Sequence, residues 1–335
     1  MRIAVDTMGG DHAPAEIVAG AVRAAAEFGA SLTVLLVGDR DAIDGELRKQ
    51  RAVPSNLELV HASQVVEMDE APVMAIRRKK DSSIGRAVDL VKAGEADAVV
   101  SAGNTGAVVV AATLKLRTLQ GVERPAIATV MPTPGRPFVL IDAGANTDCS
   151  SPLLVQFAAM GSVYSRQILG QQNPVVGLLS IGGESSKGNE TTKEAFRLLQ
   201  ESDLNFRGNV EGHDLYRGET DVIVCDGFVG NVVLKTSESA AHAVGFWLKQ
   251  EFARNPVRMF GALLLRGALR AIKKRTNAEF YGGALLTGVN GVCIITHGAS
   301  KALAIYHAIR VARESLHHKI NHLIEEQVGS LRQAT

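Results

Sequence analysis

Nine short apolar runs divide the chain, and most of them are continuously apolar rather than alternating with polar residues. They cover residues 2–6, 32–38, 57–62, 96–103, 126–132, 137–144, 174–182, 221–227 and 291–298. Continuous runs rich in β-branched residues are typical of strands that are covered on both faces. Helical patterns lie between them at 82–93, 104–117, 152–169 and 190–201. The alternation predicts an α/β fold with a doubly wound, mostly parallel sheet.

Length and composition narrow the protein class further. The 335 residues contain no repeat, low-complexity tract or Pro/Ser-rich linker, so we predict one large α/β domain over 1–335. A net charge of +1 argues against a general nucleic-acid binder, and an aromatic content of 4% argues against base stacking. We expect no signal peptide and no spanning helix, because strand-like sequence begins at residue 2 and no apolar run is long enough. Three cysteines without paired spacing suggest a reducing, cytoplasmic compartment.

Glycine-rich turns follow six of the predicted strands. They are DTMGGD (6–11), SAGNTGA (101–107), DAGANTD (142–148), IGGESSKGN (181–189), CDGFVGN (225–231) and HGAS (297–300). Ligands of an open parallel sheet bind beyond the carboxyl ends of the strands, and glycine lets an anion approach backbone N–H groups. We therefore expect these turns to form one pocket for an anionic or phosphorylated ligand. P-loop, dinucleotide-binding and nucleophile-elbow signatures are absent from the sequence.

Side chains in these turns are suited to bind phosphate and a developing oxyanion. Lys187 is the single basic residue of its turn, and Asn231 opens a predicted helix. Alternative roles stay open, namely a solvated lysine for Lys187, a helix N-cap for Asn231 and a structural histidine for His297. Asp6 either pins its own turn or contacts a ligand. The candidate residues are Gly103, Asn104, Thr105, Gly106, Lys187, Gly188, Asp226, Gly227, Gly230, Asn231 and His297.

The remaining reactive side chains favour no metal or covalent chemistry. Cys149 and Cys225 follow strand ends beside acidic residues, which raise a thiol pKa, and Cys293 lies within a strand. His318 and His322 have a metal-compatible i, i+4 spacing but no third ligand nearby in the sequence. We expect buried, inert cysteines and no metal or other cofactor.

Residues 255–275 carry six basic residues and no acidic one. On a helix, most of the basic side chains lie opposite a face of leucine, phenylalanine and isoleucine. We predict an amphipathic helical segment within 250–280 that contacts an anionic membrane or an acidic partner. The plain alternative is a surface helix packed on the core or on a second copy. The contact residues expected are Arg258, Leu264, Leu265, Arg266, Arg270, Lys273 and Lys274.

Eight strings, collinear along the chain, resemble the PlsX family of bacterial phosphate acyltransferases. They are DTMGGD (6–11), VSAGNTGA (100–107), ERPA (123–126), DAGANTDC (142–149), QFAAMGSVYS (156–165), ESSKGNE (184–190), DVIVCDGFVGNVVLKT (221–236) and YGGALLTGVNGVCIITHG (281–298). The resemblance runs from residue 1 to about 310. This chain has GGE at 182–184, where the family more often has GEE, and loses one acid there.

The resemblance implies a reaction in which inorganic phosphate attacks the thioester of a fatty acyl–acyl carrier protein to give acyl phosphate. That product supplies glycerol-3-phosphate acylation for phosphatidic acid. The implied fold is a Rossmann-like α/β/α sandwich, similar to phosphotransacetylases and to isocitrate and isopropylmalate dehydrogenases. The implied state is a cytoplasmic homodimer attached peripherally to the inner face of the membrane. A phosphotransacetylase-like activity on acyl-CoA and a non-catalytic membrane scaffold are the alternatives.

Overall fold

Eleven strands form one sheet in the part of the chain that the structure describes. The structure is a computed structural model that describes residues 1–276 and 281–333, with the backbone alone at 273–276 and 332–333. The strands are β1 Arg2–Asp6, β2 Thr33–Gly38, β3 Leu57–His61, β4 Ala98–Ser101, β5 Ala126–Met131, β6 Phe138–Ile141, β7 Val176–Leu179, β8 Phe206–Val210, β9 Val222–Val224, β10 Ala284–Thr287 and β11 Val292–Ile295. Their order across the sheet is β3-β2-β1-β4-β11-β10-β5-β6-β9-β7-β8.

Helices connect most of these strands. They are α1 Ala15–Phe28, α2 Arg40–Leu47, α3 Pro72–Arg78, α4 Ser83–Lys92, α5 Thr105–Leu116, α6 Ser151–Ile168, α7 Glu190–Gln200, α8 Gly227–Phe252, α9 Pro256–Leu264, α10 Arg266–Thr276, α11 Ala302–His317 and α12 Ile320–Gln333. Polar side chains cap several of them, because an oxygen at the N-cap accepts from a backbone N–H that the helix leaves unpaired. Ser82, Asn104, Ser150 and Asn189 do so for α4, α5, α6 and α7.

All nine predicted strands and the four predicted helices are confirmed, with small shifts at their ends. Two strands, β8 and β10, were not predicted. The sequence of β8 is FRGNV, which places glycine and arginine in a half-exposed edge strand. The sequence of β10 is ALLT, which is too short to distinguish from a piece of helix.

Strand direction changes across the sheet. Seven of the strand pairings are parallel, so the prediction of a mostly parallel sheet is confirmed. The β11–β10, β10–β5 and β5–β6 pairings are antiparallel. As a result β6, β7, β8 and β9 run opposite to β1, β2, β3, β4 and β11, and the two sets of carboxyl ends lie at opposite ends of the sheet.

Both faces of the sheet are buried. Ile3 and Val5 of β1 point into a core formed with α1, α6, α11 and α12, whereas Ala4 points into a core formed with α3, α4 and α5. This two-sided burial explains why the strand sequences are continuously apolar.

The segment predicted to be amphipathic lies in a helical arm, which we define as α8, α9 and α10. In α8 only Gly227 and Gly230 are buried. The predicted helical segment is divided into two helices, because α9 ends at Leu264 and α10 starts at Arg266. No helix among the described residues is both long and apolar enough to cross a bilayer.

The arm exposes apolar side chains along all three helices. Val257 is 81% exposed and Leu264 71% exposed, and Leu265, Phe246 and Trp247 are also exposed. Arg266 and Arg270 are exposed as well, and Arg258 pairs with Glu251 within the arm. The predicted contact residues Lys273 and Lys274 lie outside the residues whose side chains are described.

Candidate active site

The six glycine-rich turns fall into two groups at opposite ends of the sheet. The turns at 6–11, 101–107 and 297–300 follow β1, β4 and β11 at what we call the Asn104 end. Those at 142–148, 181–189 and 225–231 follow β6, β7 and β9 at what we call the Asn231 end. The expectation that all six strand ends meet in one pocket of a single chain is therefore wrong. The reason is the reversal of strand direction at the β5–β6 and β10–β11 hairpins.

At the Asn104 end, the three turns contact one another above a buried carboxylate. The backbone N–H of Asp11 donates to the carbonyl of Gly298 (2.8 Å). Asp6 is fully buried and accepts from the Ser101 hydroxyl (2.7 Å) and from the backbone N–H of Met8 (3.3 Å). Burial raises the pKa of Asp6, because water no longer solvates its charged form. Asp6 therefore has the pinning role, one of its two predicted alternatives.

Asn104 is engaged within the protein rather than open to a ligand. Its Oδ1 accepts from the backbone N–H of Ala107 (3.1 Å) and so caps α5. Its Nδ2 donates to the carbonyls of Met68 (3.1 Å) and Glu70 (3.0 Å), which holds the 67–70 segment against the start of α5. Asn104 thus positions this end of the sheet.

Thr105 and His297 are the exposed candidates at the Asn104 end. Thr105 is the first residue of α5, where backbone N–H groups lack helical partners. His297 Nδ1 accepts from the backbone N–H of Ala299 (3.1 Å), so the neutral ring carries its proton on Nε2. Gly103 is buried and Gly106 is half-buried in the same turn. This end therefore offers N–H donors.

At the Asn231 end, the carboxylate of Asp142 organises the turn that follows β6. Its Oδ1 accepts from the backbone N–H of Ile127 (2.9 Å), and its Oδ2 accepts from the backbone N–H of Asn146 (2.7 Å) and from Asn146 Nδ2 (2.9 Å). Asp142 is buried, and burial raises its pKa. These donors hold the 142–146 backbone in a fixed curve.

The start of α8 packs directly on that turn. Asp226 caps α8 by accepting from the backbone N–H of Val229 (2.8 Å), and the N–H of Gly227 donates to the carbonyl of Asn146 (2.6 Å). A Cβ at Gly230 would overlap the carbonyl oxygen of Asp142. The predicted N-cap alternative for Asn231 is wrong, since α8 begins four residues earlier at Gly227.

Asn231 and Lys187 are exposed and leave from neighbouring strands. β9 pairs with β7 through Val224 and Leu178, so their turns emerge side by side. Asn231 lies against Gly144, and its side chain is exposed. Lys187 is exposed next to Gly188, and its side chain has no hydrogen-bond or ion-pair partner among the described residues. The Asn231 end thus combines an unpaired cation with an unpaired amide.

Arg124 also lies at the Asn231 end, although it is not among the sequence-derived candidates. Its Nη1 donates to the carbonyl of Asp148 (3.3 Å), and its side chain is exposed. It precedes β5, whose amino end lies beside the carboxyl end of β6 because the two strands are antiparallel. The signal available in the sequence is the basic residue of the ERPA string together with the short PTPGRP connection (132–137), which is typical of a hairpin.

The cysteines are poor nucleophiles. Burial, with Asp142 nearby, raises the pKa of Cys149 to about 12, and burial raises the pKa of Cys293 to about 12. The pKa of Cys225 is also well above its usual value, mainly through burial. Among the described residues, Glu211, His213 and Asp214 bring three potential metal ligands together, and none of them is a candidate for the site.

Comparison with known proteins identifies the family to which the chain belongs. The fatty acid synthesis protein family matches residues 1–323. The chain is 53% identical over 315 residues to a phosphate acyltransferase of Desulfitobacterium hafniense, covering 94% of this chain and 93% of that protein. It is 50% identical over 329 residues to a phosphate acyltransferase of Heliobacterium modesticaldum, covering 98% of each.

A phosphotransacetylase from Streptococcus pyogenes has a similar structure, with a TM-score of 0.61 and 19% identity over 95% of this chain and 94% of its own. At this identity the likeness concerns the fold alone. The predicted α/β fold class, similar to phosphotransacetylases, is confirmed.

Gly230→Ala is expected to destabilise the protein by about 1–3 kcal/mol, because the added methyl group would overlap the Asp142 carbonyl. Gly245→Ala in the same helix is the matched control. Its Cβ would meet open space, so it should stabilise the protein by about 0.5–1 kcal/mol. Thermal unfolding of both variants measures the difference, and equal effects would contradict the close packing at Gly230.

Asp6→Asn is expected to change how stability depends on pH. The folded protein binds the Asp6 proton more tightly than the unfolded chain, so the unfolding free energy falls as pH rises through the raised pKa. Asparagine has no such proton to lose, so the variant does not show this fall in unfolding free energy. The difference in melting temperature, variant minus wild type, should therefore increase from about pH 4 to about pH 8. A difference that stays constant over this pH range would contradict the prediction.

Proposed function

Since the chain belongs to the fatty acid synthesis protein family, we propose that it transfers a long-chain fatty acyl group from acyl carrier protein to inorganic phosphate. The protein is an acyltransferase that uses phosphate as the acyl acceptor. In the proposed reaction, an oxygen of hydrogen phosphate attacks the thioester carbonyl carbon, and the carbon–sulfur bond breaks. The leaving thiol takes the proton of hydrogen phosphate, which gives acyl phosphate and free carrier. The acyl phosphate then enters phosphatidic acid synthesis.

The observation that carries this proposal is the pair of exposed side chains, Lys187 and Asn231, that follow neighbouring strands at the Asn231 end. Lys187 supplies a positive charge, Arg124 supplies a second one although its Nη1 also donates to the Asp148 carbonyl, and Asn231 supplies an amide at the same end of the sheet. Positive charge and amide N–H groups aimed at the developing oxyanion stabilise the tetrahedral intermediate. Phosphate itself is the nucleophile, so the raised thiol pKa values do not hinder the reaction. Gly188, Asp226, Gly227 and Gly230 shape the turns that present these groups.

We assign the acyl donor to the Asn104 end. The strands between the two ends have three to six residues, which corresponds to about 10–20 Å. A single phosphate ion is too small to contact both ends. A donor whose thioester is attached to a long flexible arm is able to reach from one to the other. Gly103, Thr105, Gly106 and His297 are then contacts for the donor, and Asn104 fixes their geometry.

The helical arm fits a peripheral site at the inner face of the cytoplasmic membrane. Its exposed apolar residues include Val257, Phe260 and Leu264, and Arg266 and Arg270 are available for anionic lipid headgroups. A second copy of the chain would cover the apolar residues of α8, including Val244 and Trp247, in a homodimer. At the membrane, the product is released near the glycerol-3-phosphate acyltransferase that consumes it.

Lys187→Ala is expected to lower kcat by about 100- to 1,000-fold while leaving the melting temperature unchanged, because the side chain has no partner among the residues that the structure describes. Purified protein is incubated with long-chain acyl–acyl carrier protein and phosphate, and acyl phosphate is trapped with hydroxylamine. Lys193→Ala, an exposed lysine of α7, is the control and should retain wild-type turnover.

Three outcomes of this assay contradict the proposal. Turnover with acyl-CoA but not with the carrier would favour phosphotransacetylase-like activity. No turnover with either donor would favour a scaffold. Full activity of the Lys187 variant would remove Lys187 from the site.

Replacing an exposed leucine of the arm tests membrane contact. Leu264→Glu is expected to weaken co-sedimentation with vesicles of anionic lipid by about 10-fold or more. The substitution removes apolar area that the bilayer would bury, and it adds a negative charge that anionic headgroups repel. Leu114→Glu on α5 is the control, because that leucine is similarly exposed at 59% but lies outside the arm. Equal binding of both variants would place the membrane contact elsewhere.

A further inference from the structure

One short helix near the Asn104 end presents apolar and basic side chains on the same face. Val73 and Met74 of α3 are each 44% exposed, and Arg77 and Arg78 follow one turn later on the same side. Ala75 and Ile76 are buried on the opposite side. We define the Arg77 patch as Met68, Val73, Met74, Arg77, Arg78 and Lys80.

The cations of this patch form no hydrogen bond or ion pair with the described residues. Lys79, which lies between them in sequence, donates to the Val65 carbonyl and pairs with Glu70, so its charge is neutralised within the protein. Arg77, Arg78 and Lys80 have no hydrogen bond or ion pair of this kind. Three exposed cations beside exposed methionine and valine therefore remain available to a partner.

The patch stands directly over the Asn104 end. The Asn104 amide holds the carbonyls of Met68 and Glu70. A Cβ at Gly106 would lie 2.6 Å from Pro72 Cγ, so α3 begins against the first turn of α5. A Cβ at Gly298 would lie 2.8 Å from Met68 Cε, next to the turn that carries His297. A partner on α3 is therefore adjacent to the turns assigned to the acyl donor.

We propose that the Arg77 patch docks the carrier protein through an acidic amphipathic helix of that carrier. This inference rests on the proposed function and names where its donor binds. Carboxylates of the helix contact Arg77, Arg78 and Lys80, and its apolar side chains cover Val73 and Met74. An open depression on the surface of α3, lined by Glu70, Ala71, Met74, Ala75, Arg78 and Lys79, lies within the area that the helix covers. The arm attached to the carrier then enters at the Asn104 end.

A protein helix fits this patch better than an anionic bilayer does. Glu67 and Asp69 are exposed on either side of Met68 and would be repelled by a continuous anionic surface. A helix that lies along α3, at Val73, Met74, Arg77 and Arg78, contacts residues that follow these acids in the chain and does not need to cover them. The helical arm shows the reverse balance, with many exposed apolar residues, and Arg258 is already paired with Glu251. We therefore assign carrier docking to the Arg77 patch and lipid contact to the helical arm.

The test is the triple substitution R77E/R78E/K80E in the full-length protein. KM for acyl–acyl carrier protein is expected to rise by about 10-fold or more, with kcat within about two-fold of wild type, because rim charges act mainly on association. Turnover of a small acyl thioester that lacks the carrier protein should be unchanged. R48E/K49E/R51E, which changes three exposed cations just after α2, is the matched control and should leave KM unchanged.

Direct binding of carrier protein, measured by fluorescence anisotropy, separates this inference from the proposed function. Wild-type binding that the triple variant loses supports the patch even where no turnover is seen. The inference is overturned by an unchanged KM, by equal impairment with both thioesters, or by carrier binding that the triple variant retains. Loss of vesicle binding in the triple variant, with carrier binding intact, would assign the patch to lipid instead.

Discussion

The buried carboxylate of Asp142 is the constraint on which the Asn231 end depends. A carboxylate buried in an apolar core is costly unless hydrogen bonds replace the lost water, and here backbone N–H groups and the Asn146 amide supply them. These bonds curve the turn so that its carbonyls accept from Gly227 and contact Gly230. The first turn of α8 can then approach closely, and Asn231 is presented next to Gly144. The exposed Asn231 side chain is therefore positioned by a carboxylate that is itself buried.

Reversal of strand direction divides the glycine-rich turns between two ends of the sheet. A sheet with all strands parallel would gather every glycine-rich turn at one end. Two hairpins send the turns of the first and last parts of the chain to the Asn104 end and the middle turns to the Asn231 end. Under the proposed function, a small anion uses only one of these ends, whereas a long-armed thioester uses both.

Exposed apolar side chains and unpaired cations are concentrated on two different surfaces. Apolar side chains dominate the arm, where Val257 and Leu264 are among the most exposed, and unpaired cations dominate the end of α3. Apolar area inserts into lipid, while fixed cations beside a small apolar face select an acidic protein surface. Under the two proposals, separate surfaces let the enzyme stay at the membrane while carriers arrive and leave.

The sequence by itself determined where strands and most helices lie, because burial on both faces demands continuous apolar runs and unpaired helical N–H groups demand caps such as Ser82 and Asn189. It also marked Lys187 and Asn231 as candidates, since only a few polar side chains occur among the glycines. It did not reveal that the Asn104 amide donates hydrogen bonds to carbonyls of the 67–70 segment, or that Arg124 donates to a carbonyl in the turn after β6. Those facts follow from which strands are neighbours and in which direction they run. Only the tertiary structure decided that, because strand pairing depends on contacts between residues far apart in the chain, which local patterns do not encode.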